Sequence, residues 1–221
     1  MTAGVANEIV YPGPDGKPMA ENTKQHRWIV LLVSNLEALF RHAADVFVGG
    51  DLLWLPVLGE PGVAHAPDVF VVFGRPRGDR TSYKQWEEAG VPMTVVFEIW
   101  SPSNDADERM DKRDFYDDHG VEEYYAYDPQ KNTLMIFLRG SETLRRIYKV
   151  EGFVSPRLGI RFDMSGPEMA VIGPDGRRFQ TLAQAADERE TLTALTRKVL
   201  AGQATPEEAL ELQRLLGGPT P

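Results

Sequence analysis

This 221-residue sequence predicts a mixed α/β domain with a helical appendage, on three observations. An amphipathic helical stretch opens the regular part of the chain. Two apolar β-rich runs, Val69 to Phe73 and Thr94 to Trp100, then read as buried strands. A charged helical stretch separates the second run from a further series of strands.

Residues 1 to 21, with Pro12-Gly13-Pro14-Asp15-Gly16 and Pro18, read as an irregular arm. Trp28, Ile29, Leu31, Leu32, Leu36, Leu39 and Phe40 recur at three- and four-residue spacings, predicting a helix from about Thr23 to His42. Asn22 or Thr23 would cap it. Val46 to Val48 and Leu52 to Val57 follow as short strands around Gly49-Gly50, Pro56 confining the second to a strand end or sheet edge. After the Val69 strand, Gly74 to Arg80 reads as a loop and Ser82 to Ala89 as a short helix. Thr94 to Trp100 stops at a Ser-Pro-Ser-Asn turn, and a charged helix runs from about Asp105 to His119. Gly120 stands where a left-handed helix end favours glycine.

Strands are expected at Glu122 to Tyr127, as a β-pair at Leu134 to Leu138 and Leu144 to Tyr148, and more weakly at Gly159 to Phe162 and Ala170 to Ile172. Leu182 to Leu200 is helical. Thr205-Pro206-Glu207-Glu208 combines a capping box with proline at the first helical position and starts a second tail helix. The expected organisation is an arm over 1–21, a domain over 22–172, and a tail over 173–221 that forms a helical hairpin or an oligomerisation element.

Composition bounds the function. The chain has no cysteine, which excludes disulfides, thiolate metal sites and a cysteine nucleophile, and fits a reducing compartment. No leader-like start and no apolar run approaching ~18 residues is present, so the expectation is a soluble cytoplasmic protein. The net charge of −9 requires any nucleic-acid contact to rest on a local basic patch. Two patches qualify: Arg75, Arg77, Arg80 and Lys84 in a loop, and Arg139, Arg145, Arg146 and Lys149 on the later β-pair. For each, the alternative is a solvated surface.

Glu98 interrupts a strand that otherwise reads as buried, and a buried carboxylate needs a hydrogen bond, a counter-charge or a metal. Asp68 opens the preceding buried strand, 30 residues earlier. If the two strands are neighbours, the carboxylates converge as hard oxygen ligands suited to Mg²⁺. Alternatively Asp68 caps a turn and Glu98 pairs with an arginine. Strand alternation puts Glu98 on one face with Val96 and Trp100. An acid-x-lysine nuclease motif would place lysine at position 100, where this chain has tryptophan. Lys112 shares a helix stripe with Glu108, Phe115, Tyr116 and His119 and is the candidate replacement, unless it snorkels along that stripe. Glu37 on the first helix is a weaker candidate for a third acid, Asp51 beside Gly50 suits a turn, and His26 suits a helix start.

In order, Pro67-Asp68-Val69, Phe97-Glu98-Ile99-Trp100-Ser101-Pro102, Lys112 with Tyr116, Gly120-Val121-Glu122-Glu123-Tyr124-Tyr125 and Tyr127-Asp128-Pro129 resemble the Uma-type putative restriction endonucleases. These are a branch of the PD-(D/E)XK nuclease superfamily. The resemblance spans about residues 9 to 162 and shares the missing lysine at position 100. It implies a restriction-endonuclease-like αβββαβ core with extra strands, and Mg²⁺-dependent phosphodiester hydrolysis with Mn²⁺ as a substitute. It also implies Asp68 and Glu98 as metal ligands, Lys112 as the relocated lysine, and nucleic acid, DNA in the first instance, as partner. A homodimer is expected by analogy with two-fold-symmetric duplex cutters. The rival reading is an inactive nuclease-fold interaction module, which the net acidity favours.

Overall fold

The computed structural model describes residues 22–101 and 104–216. The expected arm over 1–21, and Pro102 and Ser103 of the expected turn, lie outside the described residues. The chain divides into two compact units, one through Phe179 and one from Gln180.

In the first unit, helix α1 spans Thr23–Leu39, with Asn22 accepting a cap bond from the Gln25 amide at 2.9 Å. Strands β1 (Val46–Gly49), β2 (Trp54–Leu55), β3 (Val69–Phe73), β4 (Tyr83–Lys84) and β5 (Val95–Ile99) follow. Helix α2 covers Ala106–Asp118 and leads to β6 (Glu123–Asp128), β7 (Thr133–Arg139), β8 (Leu144–Ile147), β9 (Arg161–Asp163) and β10 (Ala170–Ile172). Six strands form one sheet in the order β1-β3-β5-β6-β7-β8. All neighbours run antiparallel except β5 and β6, which are parallel, and α2 supplies the crossover that a parallel pair requires. The sequence α1-β1-β3-β5-α2-β6 is the expected αβββαβ core, and the β7–β8 hairpin extends it.

Each face of the sheet carries a helix. Trp28, Ile29, Leu32 and Leu36 of α1 pack on Val69, Val71, Val95, Phe97 and Ile99. On the opposite face Tyr116 of α2 packs with Trp54, Phe70, Val96, Trp100 and Tyr124. Gly120, at φ +88, takes the left-handed conformation that lets the chain leave α2 and re-enter the sheet.

The helix expected over Ser82 to Ala89 does not form. Tyr83 and Lys84 instead pair in parallel with Trp54 and Leu55, and Gln85 continues the contact by donating from its amide to Leu55 at 3.0 Å. The fully buried Tyr83 ring outweighs the local helical preference, and Ala89 at φ +57 ends the following turns. Tertiary packing here overrides propensity. The strand expected over Leu52 to Val57 is confined to Trp54–Leu55, before Pro56.

The second unit consists of α3 (Leu182–Leu200) and α4 (Pro206–Leu215), both opened by capping boxes, at Thr181 and Thr205. Leu195 and Leu212 are its buried side chains. Among the described residues no helix is long and apolar enough to cross a membrane.

Candidate active site

The ladder between β3 and β5 pairs Val69 with Phe97. One residue further along both strands, Asp68 stands across from Glu98 on the α2 face of the sheet. The two carboxylates therefore meet at one strand end. Asp68 accepts from the Ile99 amide at 2.6 Å, which ties the start of β3 to the end of β5. Gly50 of the neighbouring loop packs so closely that a Cβ there would lie 2.5 Å from the Asp68 carbonyl oxygen.

Glu98 is 1% exposed. Lys112 Nζ donates to its Oε2 at 2.8 Å, and the Tyr116 hydroxyl donates to its Oε1. Lys112 and Tyr116 are one helical turn apart on α2, so a single helix face addresses both carboxylate oxygens. The arrangement satisfies the carboxylate through one ion pair and one neutral donor, as burial demands. Among the described residues Glu98 pairs with Lys112 and not with the arginine of the alternative reading.

The electrostatics follow from burial. Burial and the facing Glu98 push the Asp68 carboxyl up to about 8, against the pull of the Ile99 amide and Lys112. Burial alone would lower the Lys112 ammonium, but its contact with Glu98 outweighs that and raises it. Burial and Glu98 together drive the Tyr116 phenol well above its ordinary value, so it stays a donor. Two carboxylates thus share one cation. When both carboxyls are ionised the constellation is one positive charge short, and its donors are hard oxygens. Mg²⁺ is commonly held by one or two carboxylates plus waters and substrate phosphates, so this donor set fits that ion.

Among the described residues no group of three or more His, Cys, Asp or Glu side chains is placed to hold a metal, so no third acid joins the pair. Glu37 lines a separate cleft of about 530 Å³ with Gly49, Gly50, Arg77 and Arg80. Asp51 is exposed at φ +50, its amide donating to Pro67 at 3.0 Å, the turn role its sequence context suggests. His26 is exposed on the first turn of α1. His65, which the sequence reading left aside, packs edge-on to Phe115 at 4.6 Å, and burial together with Lys112 lowers its pKa.

Gln25 is a further member that sequence reasoning missed. It lies buried in the first turn of α1 and donates to the Ile99 carbonyl at 2.8 Å. Its amide also interacts with the Asp68 carboxyl. The signal was available: Gln25 falls on the stripe of Trp28, Ile29, Leu32 and Leu36, where an amide must find a partner. At position 100, where the lysine is absent, Trp100 receives the Arg109 guanidinium over its ring at 4.1 Å.

The two basic patches differ. In the loop patch, Arg75 and Arg80 both bind Glu88, Lys84 binds Glu87, and Arg77 donates to the Phe40 carbonyl. That patch is largely spent on its own structure. On the β-pair, Arg139 is tied to Asp117 at 3.2 Å, whereas Arg145, Arg146 and Lys149 are exposed.

The Uma2 family, described as "putative restriction endonuclease", matches residues 11–165. A solved structure described as a putative nuclease belonging to DUF820, from Anabaena variabilis, is similar at 13% identity and a TM-score of 0.46, covering 72% of this chain and 85% of that one. No curated protein matches the sequence.

Proposed function

The chain belongs to the Uma2 family of putative restriction endonucleases, and from that premise we propose that it is a metal-dependent endonuclease hydrolysing nucleic-acid phosphodiester bonds at Asp68, Glu98 and Lys112. The observation that carries this reading is the buried Glu98 facing Asp68 with Lys112 Nζ 2.8 Å away. A family match alone would leave the reaction unassigned, whereas this trio matches the needs of phosphodiester hydrolysis.

Asp68 and Glu98 would hold Mg²⁺ or Mn²⁺. When bound, the ion supplies Lewis acidity and a more acidic water. Lys112 presents a fixed ammonium beside the carboxylates, where it stabilises charge developing on the phosphoryl oxygens or orients the attacking water. Tyr116 and Gln25 act through other groups: Tyr116 holds one Glu98 oxygen, and Gln25 holds the Ile99 carbonyl and the Asp68 carboxyl. A DNA substrate is the first expectation.

Two measurements test this. Calorimetric titration with Mg²⁺ and Mn²⁺ should show binding by the wild type, loss in Asp68→Asn and Glu98→Gln, and near-wild-type affinity in Lys112→Ala. Single-turnover cleavage of labelled DNA and RNA should require the metal and vanish in Lys112→Ala. Equal cleavage by Lys112→Ala and wild type would remove Lys112 from the mechanism. Absence of both metal binding and cleavage would leave the nuclease fold as an interaction module.

A further inference from the structure

Strand β8 closes one side of the six-stranded sheet. Its register pairs Phe137 with Arg146 and Arg139 with Leu144. Phe137 and Leu144 belong to the core on the α2 face, while Ile147 packs on the opposite core. Alternation therefore puts Arg146, and Tyr148 just beyond the strand, on the same face as Glu98. The row through Glu98 and Ala126 continues to Met135 and, one step past the last ladder pair of Ile136 with Ile147, to Tyr148. Three strand spacings separate Glu98 from Tyr148, or about 14 Å.

The chemistry of this edge is unusual for the molecule. Tyr148 is 83% exposed, and the Arg146 guanidinium lies 5.2 Å from its ring centroid. Arg145 and Lys149 flank the pair and are also exposed. Among the described residues none of these three cations forms an ion pair, in contrast to the loop patch, where three of the four basic side chains are neutralised. Of the acids on either side in sequence, Glu151 is engaged by the Met164 amide at 2.8 Å. A protein of net charge −9 thus keeps unneutralised cations along β8, with Arg146 and the presented Tyr148 ring on the active-site side of its sheet and Arg145 and Lys149 at its edge.

We propose that the Arg145–Lys149 edge docks a strand of the substrate nucleic acid, its cations meeting phosphates and Tyr148 stacking on an unpaired base. The proposal rests on the nuclease reading for the identity of the strand. Free cations account for phosphate contact, and an exposed ring accounts for stacking, which every base supports and a duplex backbone does not. At about 14 Å, the edge would hold the strand a few nucleotides from the carboxylates.

Fluorescence anisotropy in EDTA, with a labelled mixed-sequence 20-nucleotide single strand and the matching duplex, tests docking without cleavage. Tyr148→Ala should weaken single-strand binding about tenfold and leave duplex binding unchanged. Arg145→Ala/Arg146→Ala/Lys149→Ala should weaken both and lower the single-strand log–log salt slope by about 2. An acidic peptide should not compete. No binding by the wild type, wild-type affinity in the triple variant, or equal competition by the acidic peptide would overturn the proposal. Cleavage that persists with wild-type affinity in the triple variant would defeat this docking surface and leave the nuclease reading intact. Loss of binding in the triple variant without metal-dependent cleavage by the wild type would do the reverse.

Discussion

Glu98 is held by two donors from one helix, and that economy exposes it to single substitutions. Removing Lys112 leaves a buried carboxylate with only the Tyr116 hydroxyl, a loss of about 3 kcal/mol or more for a broken buried pair. Lys112→Met keeps the stem packing and should lower the metal-free melting temperature by roughly 6 °C or more at about 2 °C per kcal/mol for a chain of this size. Saturating Mg²⁺ should restore part of that loss, because the ion replaces the missing positive charge. A melting temperature insensitive to the substitution would show that the ion pair contributes nothing.

Asp68 gives a pH signature. Its carboxyl holds a proton up to about 8 in the folded, metal-free protein, against 3.8 as its ordinary value. The folded state binds the extra proton, so the associated stability is fully present below about pH 4 and is lost as pH rises through about 8. Asp68→Asn keeps an acceptor for the Ile99 amide and removes the titration. In EDTA, its melting temperature should match the wild type near pH 4, exceed it increasingly up to about pH 8, and keep a constant lead above that. A gap that does not vary with pH would contradict the raised carboxyl.

At the scale of elements, the site is a junction of three parts: the ends of β3 and β5, the first turn of α1, and one face of α2. Gly50 shows how closely they are fitted. An added Cβ would meet the Asp68 backbone oxygen at 2.5 Å, and backbone cannot swing aside as a side chain can. Gly50→Ala should therefore destabilise by about 1–3 kcal/mol and weaken Mg²⁺ binding together, measured by melting and calorimetry. Unchanged values for both would mean that this loop does not brace Asp68.

Much of this junction could be read from the chain. The Asn22 cap, the Gly120 exit and the Thr205 capping box are local signals whose physics involves only nearby residues. The pairing of Lys112 with Glu98 followed from helix and strand periodicity combined. The Ser82 to Ala89 segment was misread because its decisive partners, Trp54 and Leu55, lie nearly 30 residues away. Gln25 was missed because its role depends on the end of β5 reaching the start of α1, which sequence spacing does not show. Likewise the loop arginines resemble a phosphate site in sequence, whereas in the fold Glu88 sits between two of them.

For the whole molecule, the tension is between an acidic chain and a polyanionic substrate. The described structure resolves it locally: three of the four loop-patch cations are neutralised by carboxylates, while Arg145, Arg146 and Lys149 beside β8 are not. The two compact units each have their own buried side chains, so a chain ending at Phe179 should keep the melting temperature of the first unit within about 2 °C and retain its Mg²⁺ response. Loss of cooperative melting in that truncation would show that α3 and α4 are needed for the first unit to fold.

The central claim is that Asp68, Glu98 and Lys112 form a working hydrolytic site. Conversion of supercoiled plasmid to nicked circles, with Mg²⁺ or Mn²⁺ and with EDTA, tests it most directly when wild type and Glu98→Ala are run side by side. Nicking by the wild type that is abolished by EDTA and by Glu98→Ala is the predicted result. Equal nicking by Glu98→Ala would contradict the claim.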